Sequence, residues 1–192
     1  MRRICFAAGG SAEVRQAPDP VPGPGQLVVR VEAVGAGLGL VLGATRVVAA
    51  VGSADKADFV RQCGADEVVT YAQPSWGDPV DVVLDGVGAD AVRRGVETLA
   101  PFGRLVAFSA GGGSVEVGSL LGDGKSVIGF TIGRLNRTRP ELVERHRAEL
   151  WDLLAAGRLQ PRHTDFALEQ VAEAIELITA RANLGRVVLR TG

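Results

Sequence analysis

Ser53 and Lys56 place a hydroxyl and an ammonium group three residues apart, shortly after the apolar run of residues 46–51. That run has the continuous apolar character of a strand buried in a parallel sheet. Ligands of open α/β sheets bind beyond the carboxyl ends of such strands, and folds that select an unphosphorylated ribose carry an acidic side chain there. A hydroxyl with an ammonium group suits a phosphate on the ribose instead. The alternative left open is that Ser53 only caps a helix and Lys56 is a solvated surface charge.

A glycine-rich stretch just upstream, residues 35–46 (GAGLGLVLGATR), resembles a dinucleotide phosphate loop in spacing. In the fingerprint G-x-G-x-x-G/A, the third small residue lets a helix pack on its strand. Counted from the first or the second glycine, the third position is Leu40 or Leu42, and neither is small. The few residues before Gly43 leave no room for the helix whose N-terminus would bind the phosphate. We interpret the stretch as a turned or flexible joint, with a surviving pyrophosphate cradle as the alternative.

Two further glycine loops follow predicted strands, at residues 85–88 (DGVG) and 108–113 (FSAGGG). Glycine allows a ligand to approach the backbone closely, so both loops are candidates for cofactor contact. The acids Asp78, Asp81 and Asp85, in or near the first loop, are assigned capping and turn roles rather than acid catalysis. Trp76 is assigned to covering the core, with ligand contact as the alternative.

Alternating apolar strands and helices must position the polar side chains and glycine loops described above. The predicted strands are residues 2–6, 26–32, 46–51, 67–70, 81–84, 104–109, 126–132 and 186–190, and the predicted helices are residues 54–63, 89–100, 140–156 and 168–182. This βαβ pattern predicts an α/β fold with a doubly wound, mostly parallel, Rossmann-like sheet that is incomplete at its first βα unit. The proline-rich residues 17–25 separate the first two strands. We therefore expect an N-terminal β segment over 1–34 and a nucleotide-binding domain over 35–192.

The composition narrows the class of partner. The chain has 192 residues, 46% of them hydrophobic, with 21 basic and 22 acidic side chains. This near balance does not favour nucleic acid or an anionic membrane surface as a partner, so a small-molecule substrate is expected. The sequence contains neither a signal peptide pattern nor an apolar stretch of bilayer length, and we expect a cytoplasmic protein. The cysteines Cys5 and Cys63 are expected to be unpaired.

No metal site is expected, because the two histidines, His146 and His163, are not spaced with Cys63 as zinc ligands would be. Asp165 lies two residues from His163, but neighbours in sequence do not make a catalytic triad. The sequence therefore identifies no catalytic side chain.

Four stretches resemble the zinc-independent quinone oxidoreductase branch of the medium-chain dehydrogenase/reductase family. They are LGATRVVAAVGSADKADFVRQCGADEVVTY (42–71), VDVVLDGVG (80–88), LAPFGRLVAFSAGGG (99–113) and LLAAGRLQPRHTDFALEQVAEAIELITARANLGRVVL (153–189). Residues 1–34 are similar to the start of such enzymes. By this resemblance, most of the catalytic domain and the first strand, loop and helix of the nucleotide domain are expected to be missing between Val34 and Leu42.

The resemblance implies NADP(H) as the cofactor. It implies that Ser53, Lys56 and Tyr71 bind the 2′-phosphate, and that the loops carrying Gly88, Phe108 and Ser109 flank the nicotinamide. It also implies cofactor contacts for Asn183 and Arg186, the latter standing where the family usually has lysine. Arginine keeps the charge but not the geometry of lysine. The missing parts leave open that cofactor binding is weak or lost.

The function that the resemblance implies is an NADP(H)-linked reductase of quinone or enone type acting on a small apolar carbonyl compound. The alternatives are a non-redox role for the shortened fold, as a cyclase, isomerase or metabolite-binding protein, and a structural role as a subunit. We expect a homo-oligomer, a dimer through the edge strand from Val127 to Ile132. A further hypothesis is that residues 26–34 occupy the sheet position of the missing first strand.

Overall fold

The computed structural model describes residues 2–6, 12–16, 44–108 and 111–190. The chain divides into a sheet unit, Ala44–Ala156, and a terminal unit, Met1–Gly43 with Gly157–Gly192. Among the described helices, none has the length and apolar character needed to cross a membrane. The predicted boundary between residues 34 and 35 stays a prediction.

The elements follow one another in an α/β order. They are β1 (Arg2–Phe6), β2 (Ala12–Gln16), β3 (Val48–Val51), α1 (Ala57–Gln62), β4 (Glu67–Thr70), β5 (Val80–Asp85), α2 (Asp90–Thr98), β6 (Leu99–Ala107), α3 (Gly118–Leu121), β7 (Ser126–Gly129), α4 (Ile132–Thr138), α5 (Pro140–Ala155), β8 (His163–Ala167), α6 (Val171–Thr179) and β9 (Arg186–Arg190). Single 3-10 turns, Ala54–Lys56 and Leu168–Gln170, precede α1 and α6.

The sheet unit contains two sets of parallel strands. β3 pairs with β4, from Val48 opposite Glu67 to Val51 opposite Thr70. α1 connects these two strands. Gly64 ends the helical segment, with φ +102° and its N–H donating to the Arg61 carbonyl oxygen at 2.9 Å.

The second set, β5–β6–β7, carries the core of this unit. α2 packs on its inner face through Val92 and Val96, which bury Leu99 and Leu105 of β6. Gly95 sets how closely the helix approaches, because a Cβ there would lie 2.7 Å from Leu105 Cδ1. Leu105 is fully buried, so the contact between α2 and β6 requires glycine.

Arg46 joins the two sets of strands at their amino ends. Its Nε donates to Glu67 Oε1 at the start of β4 at 2.6 Å. Its two Nη atoms donate to the carbonyl oxygens of Asp78 at 3.2 Å and of Pro79 at 3.3 Å, directly before β5. β3, β4 and β5 therefore begin along the same edge.

In the described part of the chain, β3 pairs with β4 alone and β5 with β6 alone. The sets β4-β3 and β5-β6-β7 correspond to strands 3-2 and 4-5-6 of the doubly wound order 3-2-1-4-5-6. The predicted Rossmann-like α/β class is confirmed.

The terminal unit consists of β1 with β2 and β8 with β9. β1 and β2 are antiparallel, and β8 and β9 are parallel, from His163 opposite Arg186 to Ala167 opposite Arg190. α6 connects β8 to β9 and lies against β2. The predicted strand at residues 26–32 and most of the glycine-rich joint lie outside the described residues.

The edge strand predicted from Val127 to Ile132 is wrong at its carboxyl end. β7 ends at Gly129, and Ile132 begins α4. Thr131 is the N-cap residue of this helix, with φ −142°, and its carbonyl oxygen accepts the N–H of Leu135 at 3.1 Å. The strand ends there because this carbonyl starts the helical hydrogen bonding.

Candidate functional site

Ser53 and Lys56 lie on the turn that follows β3, together with an acid that the sequence analysis did not consider. Ser53 is extended (φ −152°, ψ 153°) and precedes the 3-10 turn without a side-chain capping bond. Its hydroxyl instead donates to the Asp55 carboxylate, and this hydrogen bond is the main reason why the pKa of Asp55 is lowered. The charge of Lys56 lowers the same pKa further. A phosphate held by Ser53 and Lys56 would therefore have to replace Asp55 as the partner of the hydroxyl.

Tyr71 stands beside this turn at the end of β4. Its N–H donates to the carbonyl oxygen of Val51 at 2.9 Å, which continues the pairing of β3 with β4 by one residue. A Cβ on Gly52 would lie 3.9 Å from Tyr71 Cε2, so the phenol ring lies next to the Gly52 backbone. The structure thus brings Ser53, Lys56 and Tyr71 to the same ends of β3 and β4. We refer to these three residues as the phosphate cluster.

A clamp from α2 holds the turn that begins at Tyr71. The Arg94 guanidinium donates to the carbonyl oxygens of Tyr71 and Gln73 through its two Nη atoms. Its Cζ also lies 4.9 Å from the centroid of the Trp76 ring, a cation–π contact. Trp76 in turn lies 6.1 Å from the Tyr71 ring at an angle of 45°. Trp76 is only 8% exposed, so its assignment to packing is confirmed.

Sequence reasoning missed Arg94 because its partners lie 23 and 21 residues earlier in the chain. A local pattern does not reveal such a contact. The one available signal was the paired arginines Arg93 and Arg94 on a helix, and the structure distinguishes them. Arg93 forms ion pairs with Asp90 and Glu97 on its own helix, whereas Arg94 reaches across to another element.

The loop after β5 is built around a buried carboxylate. Asp85 is 5% exposed and accepts the N–H groups of Val87 and Gly88, each at 3.1 Å. These bonds to backbone donors give it the turn role expected for the acids in this region. The carboxylate fixes the loop rather than offering an acid to a substrate.

Gly88 packs against the second glycine loop. Its φ is +83°, and a Cβ there would lie 2.6 Å from the Gly111 carbonyl carbon. Conversely, a Cβ on Gly111 would overlap the Val87 carbonyl oxygen, and the N–H of Ala89 donates to the Gly112 carbonyl oxygen at 2.9 Å. The two loops therefore meet backbone to backbone. The requirement for glycine at position 88 is explained by this packing, and cofactor contact at Gly88 stays a prediction.

Phe108 presents an aromatic face at the carboxyl end of the same sheet. Its N–H donates to the Asp85 carbonyl oxygen at 3.0 Å, and a Cβ on Gly86 would lie 2.9 Å from Phe108 Cζ. The ring thus covers Gly86 on one side while the residue is 54% exposed. The neighbouring Ser109, also a predicted contact, lies outside the described residues.

Asn183 and Arg186 belong to the terminal unit, where they flank the turn before β9. The Asn183 side chain donates from Nδ2 to the Gly185 carbonyl oxygen at 2.8 Å, and the N–H of Arg186 donates to the Arg162 carbonyl oxygen at 2.9 Å. Gly185 has φ +76°, and a Cβ there would overlap the same Arg162 oxygen. Gly185 thus serves the turn, and the cofactor contacts of Asn183 and Arg186 stay predictions.

Comparison with known proteins identifies the family. Residues 63–189 match the family model described as zinc-binding dehydrogenase, which covers more than half of the chain. The chain belongs to the zinc-binding dehydrogenase family.

Members similar to this chain include a bovine protein and two solved structures. Quinone oxidoreductase-like protein 2 of Bos taurus is 32% identical over 185 residues, covering 86% of this chain and 53% of the relative. The Escherichia coli quinone oxidoreductase complexed with NADPH has a TM-score of 0.66 at 27% identity, covering 79% of this chain and 51% of that one. A mycobacterial protein complexed with NADPH has a TM-score of 0.68 at 27% identity, with 81% and 53% covered. The chain spans about half the length of these relatives, and the predicted relation to quinone oxidoreductases is confirmed.

The family name raises the question of metal ligands. Across residues 44–108 and 111–190, no group of three or more His, Cys, Asp or Glu side chains is placed to hold a metal ion. His163 Nε2 lies 3.5 Å from Asp165 Oδ1, and Asp165 Oδ2 accepts a hydrogen bond from Arg190 Nη2 at 2.6 Å. His146 is paired with Glu149 at 3.0 Å on the surface of α5. In this member of the zinc-binding dehydrogenase family, both described histidines thus have carboxylate partners.

Proposed function

We propose that this protein is a cytoplasmic oxidoreductase that binds NADP(H) and reduces a small apolar carbonyl compound of quinone or enone type. The observation that carries the proposal is the phosphate cluster, since Ser53, Lys56 and Tyr71 come together at the edge of the sheet where ligands of this fold bind. Relatives of similar fold are complexed with NADPH, which supports the same cofactor here.

The donors of the phosphate cluster fit a 2′-phosphate. Lys56 supplies a positive charge, and the hydroxyl groups of Ser53 and Tyr71 supply neutral donors for its oxygens. Asp55 opposes this fit, because its carboxylate is a like charge and accepts the Ser53 hydrogen bond. Binding would require the Ser53 hydroxyl to turn from Asp55 to the phosphate, so the affinity depends on how easily that exchange occurs.

In the sheet unit, we propose that the loops carrying Gly88, Phe108 and Ser109 receive the nicotinamide. Cofactor contacts of Asn183 and Arg186 are proposed from the resemblance alone. When bound, NADPH supplies the hydride for the reduction. The exposed ring of Phe108 offers a flat apolar surface, while the bonds from Val87 and Gly88 to Asp85 keep the neighbouring loop rigid. These residues would orient donor and acceptor and exclude water rather than transfer a proton.

The N-terminal segment has a structural part in this proposal. We propose that residues 1–34 form a β segment and that residues 26–34 fill the place of strand 1 between β3 and β5. Among the described residues, each of these two strands pairs on one side alone. Amide hydrogen exchange tests this, because strand pairing would protect amides in 26–34 as strongly as those of β3. Exchange at the rate of an unstructured peptide throughout 26–34 would overturn it.

The cofactor proposal is tested by titrating the protein with NADPH while following nicotinamide fluorescence. We expect saturable binding that Lys56→Ala weakens about tenfold, in line with the loss of a charge-assisted contact. Arg61→Ala is the matched control, since it removes an exposed cation on α1 that pairs with Asp58 and is not part of the phosphate cluster. Absence of saturable binding at millimolar NADPH would overturn the function, and equal affinity of wild type and Lys56→Ala would overturn the phosphate site.

A further inference from the structure

The turn after β4 is held in place by side chains from outside it. Arg94 binds two of its carbonyl oxygens, those of Tyr71 and Gln73. The Gln73 side chain in turn accepts the N–H of Thr70 at 2.6 Å, so the turn is also closed on itself. The position of the Tyr71 backbone, and hence of its phenol ring, therefore depends on α2.

We propose that Arg94 and Trp76 are positioning residues that set the selectivity of the phosphate cluster for NADP(H) over NAD(H). The inference rests on the proposed function and extends it to two side chains that lie outside the cluster. They act by fixing Tyr71 beside Gly52, where its hydroxyl complements Ser53 and Lys56.

The guanidinium group of Arg94 is suited to holding two backbone carbonyl oxygens and an aromatic ring at the same time. A guanidinium is planar, so it can donate two hydrogen bonds in one direction and still lie over an aromatic ring. Here both actions occur together, with the two carbonyl oxygens bound and the Trp76 ring at 4.9 Å. A lysine could keep the charge but could not make this fork. Within the described residues, the neighbouring Arg93 forms exposed ion pairs with Asp90 and Glu97 of its own helix instead.

The ring of Trp76 lies next to both Arg94 and Tyr71. Its ring centroid lies 4.9 Å from Arg94 Cζ and 6.1 Å from the centroid of the Tyr71 ring. Its indole Nε1 is buried, and no hydrogen-bond partner for it lies in the part of the chain that the structure describes. A buried donor left unbonded costs free energy, so the indole stays there for its ring surface and not for its N–H. A phenylalanine would keep much of that surface and remove the orphaned donor.

The clamp is tested with adenosine 2′,5′-bisphosphate and 5′-AMP, which differ in the 2′-phosphate and need neither the nicotinamide nor a substrate. Calorimetric affinities are compared for wild type, Arg94→Ala, Arg94→Lys, Trp76→Phe and the control Arg93→Ala. We expect both Arg94 variants to lose about tenfold in affinity for the bisphosphate, as is usual when a supporting residue is removed, with 5′-AMP changed less than twofold. Trp76→Phe and Arg93→Ala should retain the wild-type ratio of the two affinities.

A structural readout accompanies the binding data. In a Trp151→Phe background, Trp76 is the remaining tryptophan, and its emission should shift to the red when Arg94 is replaced, while Arg93→Ala leaves it unchanged. Equal losses for both nucleotides, or an unchanged ratio in a folded Arg94→Ala protein, would overturn the inference. Failure of wild type to bind the bisphosphate would overturn it as well. Selective loss in Arg94→Ala with no reductase activity in wild type would instead support the clamp and overturn the proposed reaction.

Discussion

The packing around Gly95 in α2 predicts both the sign and the size of the stability change when this glycine is replaced. Replacement by alanine puts a methyl carbon 2.7 Å from Leu105 Cδ1 and 3.1 Å from Val83 Cγ1. Leu105 is fully buried beside Val92 and Val96, which leaves its Cδ1 little room to move aside. We expect α2 to move outward, and overpacking of this kind costs about 1–3 kcal/mol.

The same substitution also stabilises the helix, which opposes the loss from packing. Alanine is favoured over glycine within a helix by about 1 kcal/mol. The net expectation is a loss of about 1 kcal/mol in the free energy of unfolding, equivalent to a fall in Tm of about 2–4 °C for a chain of this size. Because Gly95 follows Arg94, an outward shift of α2 should also loosen the clamp and weaken NADPH binding.

Gly133 in α4 provides the matched control. A Cβ there meets nothing closer than 3.8 Å, so Gly133→Ala should show the helical gain without the overlap and raise the free energy of unfolding by about 0.5–1 kcal/mol. Urea denaturation followed by circular dichroism measures both variants. The reasoning would be refuted if Gly95→Ala were as stable as wild type, or if the two substitutions changed stability in the same direction.

Two other expectations concern the surface. Replacing Ser53 by alanine should raise the pKa of Asp55, because the Ser53 hydroxyl is the main cause of the lowered pKa, and NMR titration measures the change. The stabilisation that this hydrogen bond gives the folded protein is complete above the unfolded pKa near 3.8, and it is lost as the pH falls through the lower folded pKa. An unchanged titration would contradict the bond. We also propose a homodimer formed along β7, whose residues are all exposed, with Ile128 at 45%. Light scattering should then give twice the chain mass of 20.0 kDa for wild type and the single mass for Ile128→Lys, whereas a monomeric wild type would contradict the dimer.

The sequence predicted those elements whose own residues define them. β4 and β9 have the predicted bounds because each is a short run rich in valine. β8 was missed because its five residues, HTDFA, contain one large apolar side chain and two ionisable ones. The helix α4 was missed because it starts within an apolar run that continues from β7.

The candidate site was predictable to the extent that it lies on loops after strands. Ser53, Lys56 and Tyr71 follow β3 and β4, so their proximity could be expected from a parallel sheet. The interaction of Asp55 with Ser53 and the clamp by Arg94 were not predictable, because a motif gives residue types but not hydrogen-bond partners. The contact of Gly88 with Gly111 likewise depends on how two loops fold together.

The most direct test of the phosphate cluster is the ³¹P NMR spectrum of NADPH as the protein is added. The 2′-phosphate and the pyrophosphate give separate signals, so contact with each can be followed. We expect a concentration-dependent shift of the 2′-phosphate signal with wild type that is lost with Lys56→Ala and retained with Arg61→Ala. A 2′-phosphate signal that stays unchanged while NADPH is bound would contradict it.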